Sequence, residues 1–277
     1  MTRRIGQMAL GAALTLTLFG ALASSASANT VVMGSTLTND FQGGISTGPT
    51  LSAQLSFDPA TSPNPVVSPA NGVITGWKVK SADDGAIYTL KVLRPNGPVS
   101  LVTATNTSFT AIRSVQAPTA VPNGTAVGTP TGLIFDYPAS LPISTGDYIG
   151  VLTGGADDDV PQITTSGLAK NLIANNFSGL PTDGASANLL ADEQHDLLLQ
   201  ATVKFCKVPD LKGLKLADAQ SKLAAADCGS TVKKKKLKKS KKNRKKKGKV
   251  LSQSVAADTT AAPGTPVVIK VAKLKKG

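Results

Sequence analysis

Histidine and cysteine are almost absent from this sequence, which narrows the chemistry open to it. The 277 residues include one His and two Cys. A zinc site draws three or four ligands mainly from His and Cys, and a disulfide-dense scaffold needs several Cys pairs. We therefore expect no metal, no cofactor and at most one disulfide.

Aromatic residues are also scarce, at 4% of the chain. Any core must therefore be built from Val, Leu, Ile and Ala. Residues 29–203 read as short β-type runs separated by Gly, Pro, Asn and Asp, and they contain no amphipathic helix of any length. Many strands divided by turn residues predict a mainly β fold, an antiparallel β-sandwich of the jelly-roll-like kind.

Two strands are clearest within this β-region, at residues 73–79 and 87–93. The first places Val73, Thr75, Trp77 and Val79 on one face, so Trp77 is expected to pack in the core rather than to meet a sugar. Asp83-Asp84-Gly85 between them predicts a hairpin loop, because Asp-Gly tolerates a positive φ. Three further strands are predicted at residues 128–135, 146–152 and 196–203.

Positive charge is concentrated in the last quarter of the chain. Residues 204–277 contain 22 Lys and Arg against 4 Asp and Glu, whereas residues 1–203 contain 8 against 13. The two parts therefore carry opposite net charge. The basic part is the one expected to meet a polyanion.

The first 28 residues have the pattern of a secretory signal peptide. Arg3 and Arg4 precede an apolar stretch at residues 8–23, and small residues end at Ala28. This stretch is shorter than the roughly 20 residues of a membrane-spanning helix. The prediction is therefore a secreted chain without a transmembrane segment after cleavage. It divides into a signal peptide (1–28), a β-region (29–203) and a basic C-terminal region (204–277).

A different pattern begins after residue 204. Residues 208–211 are extended around a proline, and Leu216, Ala219, Leu223 and Ala226 then recur at helical spacing. Residues 250–254 and 267–271 alternate as strands, with Pro263-Gly264-Thr265 as the turn before the last strand.

This order of motifs resembles a PASTA domain, the module attached to penicillin-binding proteins and bacterial Ser/Thr kinases. The resemblance rests on Val208-Pro-Asp-Leu211, Gly213 and the helical stripe, then on residues 248–254, Gly264-Thr265 and residues 267–271. It implies one helix on a three-stranded sheet, an envelope location and, in many members, binding of peptidoglycan. Two departures stand out: Ser254-Val-Ala-Ala-Asp258 replaces the family's Ser-Pro-x-x-Gly, and a lysine run replaces a loop. No kinase or transpeptidase pattern precedes the module.

The two cysteines flank the predicted helix. Cys206 lies before the first extended segment and Cys228 just after the helix. A redox-active pair is the alternative, but the two lack CxxC spacing. We predict a structural disulfide, which closes a loop of about 23 residues.

Residues 233–249 form a lysine run with no acidic residue. Because like charges repel, it is expected to be a solvated, mobile loop or a strained extension of the hairpin. Either it binds a dense anionic polymer or it has no dedicated ligand. No aromatic residue interrupts it, so sequence-specific nucleic-acid binding is not expected. The candidate polyanion-binding residues are Lys233, Lys234, Lys235, Lys236, Lys238, Lys239, Lys241, Lys242, Arg244, Lys245, Lys246, Lys247 and Lys249.

Catalytic motifs are weak. Residues 44–48 match the G-x-S-x-G pattern around Ser46, but Pro49 follows and the flanks read as loop, so a turn is favoured. His195 is expected at the surface. Asp157-Asp158-Asp159 lacks the spacing of a calcium loop and is expected to be a solvated turn.

The sequence thus predicts an exported, non-catalytic protein of the bacterial cell wall. The PASTA-like module would contact peptidoglycan, and the lysine run would add attraction to an anionic wall polymer. Two alternatives remain open. One is a polyanion-binding protein that acts through the run alone, on a teichoic-type polymer, anionic lipid or extracellular DNA. The other is a wall-active hydrolase with its site in the β-region.

Overall fold

The fold was analysed in a computed structural model, which describes residues 29–43, 49–57, 62–123, 132–155, 158–165, 172–176 and 182–275. The predicted signal peptide lies outside these residues. Before Phe205 the described strands are β1 (Thr30–Gly34), β2 (Leu51–Ser56), β3 (Gly72–Ser81), β4 (Tyr88–Pro95), β5 (Asn106–Gln116), β6 (Leu133–Ile143), β7 (Tyr148–Thr153), β8 (Gln162–Thr164), β9 (Leu172–Asn176), β10 (Ser186–Glu193), β11 (His195–Leu197) and β12 (Leu199–Lys204).

These strands form antiparallel sheets of two sizes. Six strands close into a barrel in the order β10-β5-β4-β7-β2-β9, and four others form an open sheet in the order β1-β12-β3-β6. A short pair, β11-β8, lies beside them. The predicted mainly β class and antiparallel pairing are confirmed. The jelly-roll sandwich is not confirmed, because one of the two large sheets closes on itself.

Two apolar clusters hold this β-region together. Leu51, Leu93, Phe109, Ala174 and Leu189 belong to one cluster, which comes from the strands of the six-stranded closed sheet and fills it. The other lies between the closed sheet and the open one, and combines residues of β3 and β12 with residues of β4 and β7. Most members of both clusters are aliphatic, and the few aromatic residues of the chain contribute the buried Trp77, Tyr88, Tyr137, Phe109 and Tyr148.

The residues between β3 and β4 do not form the predicted hairpin. β3 pairs with β6 and β12, whereas β4 pairs with β5 and β7. Asp83-Asp84-Gly85 does turn, with Gly85 at φ +80, but it carries the chain from one sheet to the other. A hairpin turn and a turn between two sheets need the same local residues, and only the long-range pairing of the flanking strands distinguishes them.

A β-bulge also corrects the predicted face of β3. The register with β6 shifts between Ile74 and Gly76, so Thr75 is exposed while Ile74 is buried. Trp77 is 1% exposed and packs against Tyr137, with ring centroids 4.8 Å apart, so its predicted core position is confirmed.

The other predicted strands are shifted or divided. The strand expected at 128–135 begins at Leu133, and residues 128–131 lie outside the described part. The strand expected at 146–152 is β7. The segment 196–203 is divided between β11 and β12, because the amide of Leu198 donates to Pro161 O (2.6 Å) instead of continuing one ladder.

The C-terminal module is a small α/β unit. Its strands are β13 (Cys206–Lys207), β14 (Gly229–Leu237), β15 (Val250–Gln253), β16 (Thr260–Ala261) and β17 (Pro266–Leu274), and its helices are α1 (Leu216–Ala225) and α2 (Lys241–Arg244). A three-stranded sheet has the order β14-β17-β15, with β14 parallel and β15 antiparallel to β17. This confirms the expected helix on a three-stranded sheet.

Phe205 alone separates the β-region from the module. Its amide donates to Asn29 O (2.8 Å), and Asn29 Nδ2 donates to Ala226 O (3.1 Å). Lys204 forms an ion pair with Asp227 (3.2 Å). These contacts hold the end of β12 close to the end of α1. No helix in the described part of the chain is long and apolar enough to span a membrane.

Candidate cationic site of the C-terminal module

The helix α1 anchors the module through one apolar stripe. Ala219 and Leu223 are fully buried, and Leu216 and Ala226 are half-buried against the same cluster. The predicted stripe is therefore confirmed. The helix ends at Ala226, and the chain then reaches Cys228.

Cys206 and Cys228 form the predicted disulfide. Both are buried, at 0% and 7% exposure, and they belong to the apolar cluster of the module. A buried bridge of this kind is inaccessible to exchange partners, so its role is structural. It ties the start of the module to the beginning of β14.

Gln253 joins the first extended segment to the sheet. Its Oε1 accepts from the amide of Leu211 (2.9 Å), and its Nε2 donates to Pro209 O (3.1 Å) and Val255 O (2.9 Å). Asp258 stands where the family pattern has glycine and adopts φ +64. Aspartate is one of the few residues that tolerate this region, so the departure preserves the turn.

The lysine run is partly regular structure. Lys233–Leu237 continue β14, and Lys241–Arg244 form the short helix α2, in which Ser240 Oγ accepts from the amide of Asn243 (3.1 Å). These residues are therefore regular structure and not a loop, and they do not extend a hairpin either, because β14 pairs with β17 in parallel. Pairing with β17 orders the run despite its repulsion.

Parallel pairing adds lysines that the sequence reasoning missed. Lys233 lies opposite Lys270, and Lys236 lies opposite Lys273. Lys275 follows, and its amide donates to Leu237 O (2.9 Å). One or two apolar residues separate Lys270, Lys273 and Lys275 from each other, so these lysines do not form a continuous run. Extending the alternation of residues 267–271 to residue 275 would have found them.

The candidate residues are all exposed and lack acidic neighbours. Lys233, Lys234, Lys235, Lys236, Lys238, Lys239, Lys241, Lys242, Arg244, Lys245, Lys246, Lys247 and Lys249 are exposed, as are Lys270, Lys273 and Lys275. Within the described residues, none of these cations forms an ion pair with a carboxylate. We call these sixteen residues the cationic surface. Its charge is available to an external anion.

Of the two catalytic candidates of the β-region, only His195 lies within the described residues. Ser46 lies outside the described residues. His195 is half-buried rather than at the surface, with its side chain 20% exposed and Nδ1 lying 3.5 Å from Asp192 Oδ2. No cluster of three or more His, Cys, Asp or Glu able to hold a metal ion occurs in the part of the chain that the structure describes.

Asp158 is a structural acceptor and not a solvated turn residue. Its Oδ2 accepts from the amides of Gly154 (3.0 Å), Gly155 (2.7 Å) and Ile87 (3.3 Å). The next residue, Asp159, donates its amide to Asp83 Oδ2 (2.6 Å), and burial raises the pKa of both of these carboxyl groups. Asp158 and Asp159 therefore hold a loop in place, and Asp157 lies outside the described residues.

Asp196 is the most perturbed carboxyl group of the β-region. Burial raises its pKa to about 6, although Asn39 Nδ2 donates to Oδ2 (2.8 Å) and opposes that change. Its Oδ1 has no hydrogen-bond partner within the described residues. Because the carboxyl group is easier to protonate in the folded chain, its charge affects stability.

Comparison with known proteins identifies the C-terminal module. No curated protein and no solved structure matches the chain. The sequence model of the PASTA domain family matches residues 207–273, which agrees with the helix, the three-stranded sheet and the Gln253 contacts described above. The C-terminal module of this chain is a PASTA domain.

Proposed function

We propose that this is an exported, non-catalytic protein that binds the bacterial cell wall. Its PASTA domain contacts peptidoglycan, and its cationic surface adds attraction to an anionic polymer of the wall. A PASTA domain indicates a cell-wall-related role, and this one match carries the proposal. The cationic surface supports the electrostatic part.

The two parts of the proposal predict different salt responses. Attraction by exposed lysines is screened over a Debye length of about 8–10 Å at physiological salt, and each released counterion steepens the salt dependence. Contacts of the folded PASTA surface with glycan or peptide are shorter in range and less sensitive to salt. Retention at high salt therefore reports the PASTA surface.

A pull-down with the chain from residue 29 to 277 tests this proposal. Peptidoglycan sacculi stripped of anionic polymer should retain the protein at about 0.5 M salt, where surface charge is strongly screened. Sacculi that keep their polymer should retain more protein at low salt, and the two should converge as salt rises. Loss from stripped sacculi at every salt concentration would contradict peptidoglycan binding.

A variant with charge removed separates the second candidate, in which the domain is only a platform for the lysines. Deleting residues 233–249 is unsuitable, because the deletion removes half of β14. Replacing the exposed Lys238, Lys239, Lys241, Lys242 and Lys245 by Gln leaves β14 intact. Under our proposal this variant binds stripped sacculi as tightly as the wild type, whereas a platform would bind more weakly in proportion to the charge removed.

A further inference from the structure

One face of the β14–β17 pair continues beyond the helix that covers it. The ten residues of α1 span about 15 Å, whereas the nine of β14 span about 30 Å. Since α1 leads almost directly into β14 and runs back along it, the helix reaches only the first half of the strand. Val232 is half-buried there, but Lys234 and Lys236 on the same face are exposed.

This uncovered face contains a cationic cleft. Lys236, Lys273, Leu274 and Lys275 line a cavity of about 460 Å³ at the end of the strand pair. Lys236 and Lys273 are direct neighbours in the register, and Lys275 lies two residues further on the same face. Three lysine residues thus line one concave space, and none of them has an ion-pair partner among the described residues.

We propose that this cleft is a binding site for the phosphate groups of a linear, base-free phosphodiester polymer. This proposal rests on the proposed function and specifies the anion that the cationic surface takes. A tetrahedral phosphate offers oxygens in several directions and suits three separate point charges, whereas a planar carboxylate is matched best by the fork of arginine. The cationic surface contains one arginine, and Arg244 lies in α2, outside the cleft.

The distribution of charge favours a thin, flexible chain over a flat or rigid partner. Lys233 and Lys235 lie on one face of β14, and Lys234 and Lys236 lie on the other. A membrane or a DNA duplex can meet only one of these faces, whereas a flexible polymer can pass around the strand edge to both. The large exposed hydrophobic side chains of the described chain all lie before residue 204, so the PASTA domain has none to insert into lipid.

Single-stranded nucleic acid is also a poor match. No aromatic residue follows Phe205 in the sequence. Stacking on aromatic side chains contributes about 1–3 kcal/mol per base in proteins that bind single strands. A polymer without bases does not need aromatic side chains to stack on, so a polyol-phosphate chain fits this surface best.

Isothermal titration with a synthetic glycerol phosphate oligomer tests the cleft on the intact chain from residue 29 to 277. The cleft variant is Lys236→Gln, Lys273→Gln, Lys275→Gln, and the matched control is Lys241→Gln, Lys242→Gln, Lys245→Gln, which removes equal charge from the α2 region. All six side chains are exposed, so neither variant should lower the unfolding midpoint below that of the wild type. We expect affinity to fall about tenfold or more in the cleft variant and about threefold in the control, with the salt slope reduced by about two in the cleft variant only.

Several results would overturn the cleft. Equal losses in both variants would mean diffuse attraction without a discrete site. If polyglutamate bound as tightly as the oligomer, the site would have no preference for phosphate. If duplex DNA or phosphatidylglycerol vesicles bound more tightly than the oligomer, the proposed partner would be wrong. If the oligomer does not bind while stripped sacculi still retain the protein, the cleft proposal is wrong and the proposed function stands. If stripped sacculi do not retain the protein while the oligomer binds, peptidoglycan binding is wrong and the cleft proposal stands.

Discussion

Reducing the Cys206–Cys228 disulfide should destabilise the PASTA domain without affecting the β-region. The two cysteines are 22 residues apart in sequence, and they are the only two in the chain. Closing a loop of that size restricts the unfolded chain and stabilises the folded one by about 3 kcal/mol. A domain of this size has a total stability of about 3–5 kcal/mol, so the reduced form should be close to unfolded.

The two parts of the chain carry separate spectroscopic signals. The one tryptophan, Trp77, is buried in the β-region, and both helices of the described residues belong to the PASTA domain. Urea unfolding followed by tryptophan fluorescence therefore reports the β-region, and the helical circular dichroism signal reports the domain. With a slope of about 1 kcal/mol per molar urea, a loss of 3 kcal/mol moves the second midpoint by about 3 M.

The Cys206→Ala, Cys228→Ala variant provides the control for chemical reduction. It removes the crosslink permanently and should reproduce the lowered midpoint of the helical signal in the absence of reductant. An unchanged helical midpoint after complete reduction would refute the loop-entropy argument. An equal shift of the tryptophan signal would show instead that the two parts unfold as one unit, through the contacts of Asn29 and Lys204.

Three further predictions concern single residues. Since burial raises the pKa of Asp196 from 3.8 to about 6, the folded chain keeps a proton that the unfolded chain releases, so the free energy of unfolding should fall as pH rises through that range. Asp196→Asn should make the fall of the urea midpoint over this range smaller, and a wild-type midpoint that rises with pH would contradict the assignment. Gly229→Ala places a Cβ 2.3 Å from Gly264 O and should cost the PASTA domain about 1–3 kcal/mol in the helical unfolding signal, whereas Gly97→Ala meets open space and should cost nothing comparable. Asp147 is 1% exposed and accepts two hydrogen bonds from the side chain of Arg94 (2.7 and 2.9 Å). Asp147→Asn should therefore lower the stability detected by tryptophan fluorescence by about 1–3 kcal/mol. An unchanged midpoint would show that this pair contributes nothing to stability.

The sequence predicted what short-range physics determines. The stripe of α1 and the core position of Trp77 follow from residue spacing and size. The disulfide partners could be named because only one pairing of two cysteines exists. The PASTA resemblance was visible because its motif order is local and well spaced, and its second half survives the replacement of the family glycine by Asp258.

Long-range pairing accounts for most of what the sequence could not predict. Asp83-Asp84-Gly85 has the chemistry of a hairpin turn, yet the strands that it joins belong to different sheets. The bulge at Thr75 depends on β6, which lies about sixty residues away. Lys270 and Lys273 enter the candidate site only because β17 runs parallel to β14. Each of these features depends on which strand pairs with which, and the spacing of residues within one strand does not show its pairing partner.

The arrangement of charge within the PASTA domain also bears on its role. Lys233 beside Lys270 and Lys236 beside Lys273 are like-charge neighbours, which destabilise a strand pair. In the first half of β14 apolar packing opposes this repulsion, because Val232 pairs with the buried Ile269 and packs on the core of the domain. The second half persists as a strand against this repulsion, through its backbone pairing with β17 and the half-buried pair of Leu237 and Leu274. A bound polyanion would reduce the repulsion between these lysines, so binding and folding of this segment are thermodynamically linked. The ligand that the segment binds best should therefore be the one that stabilises the strand pair most.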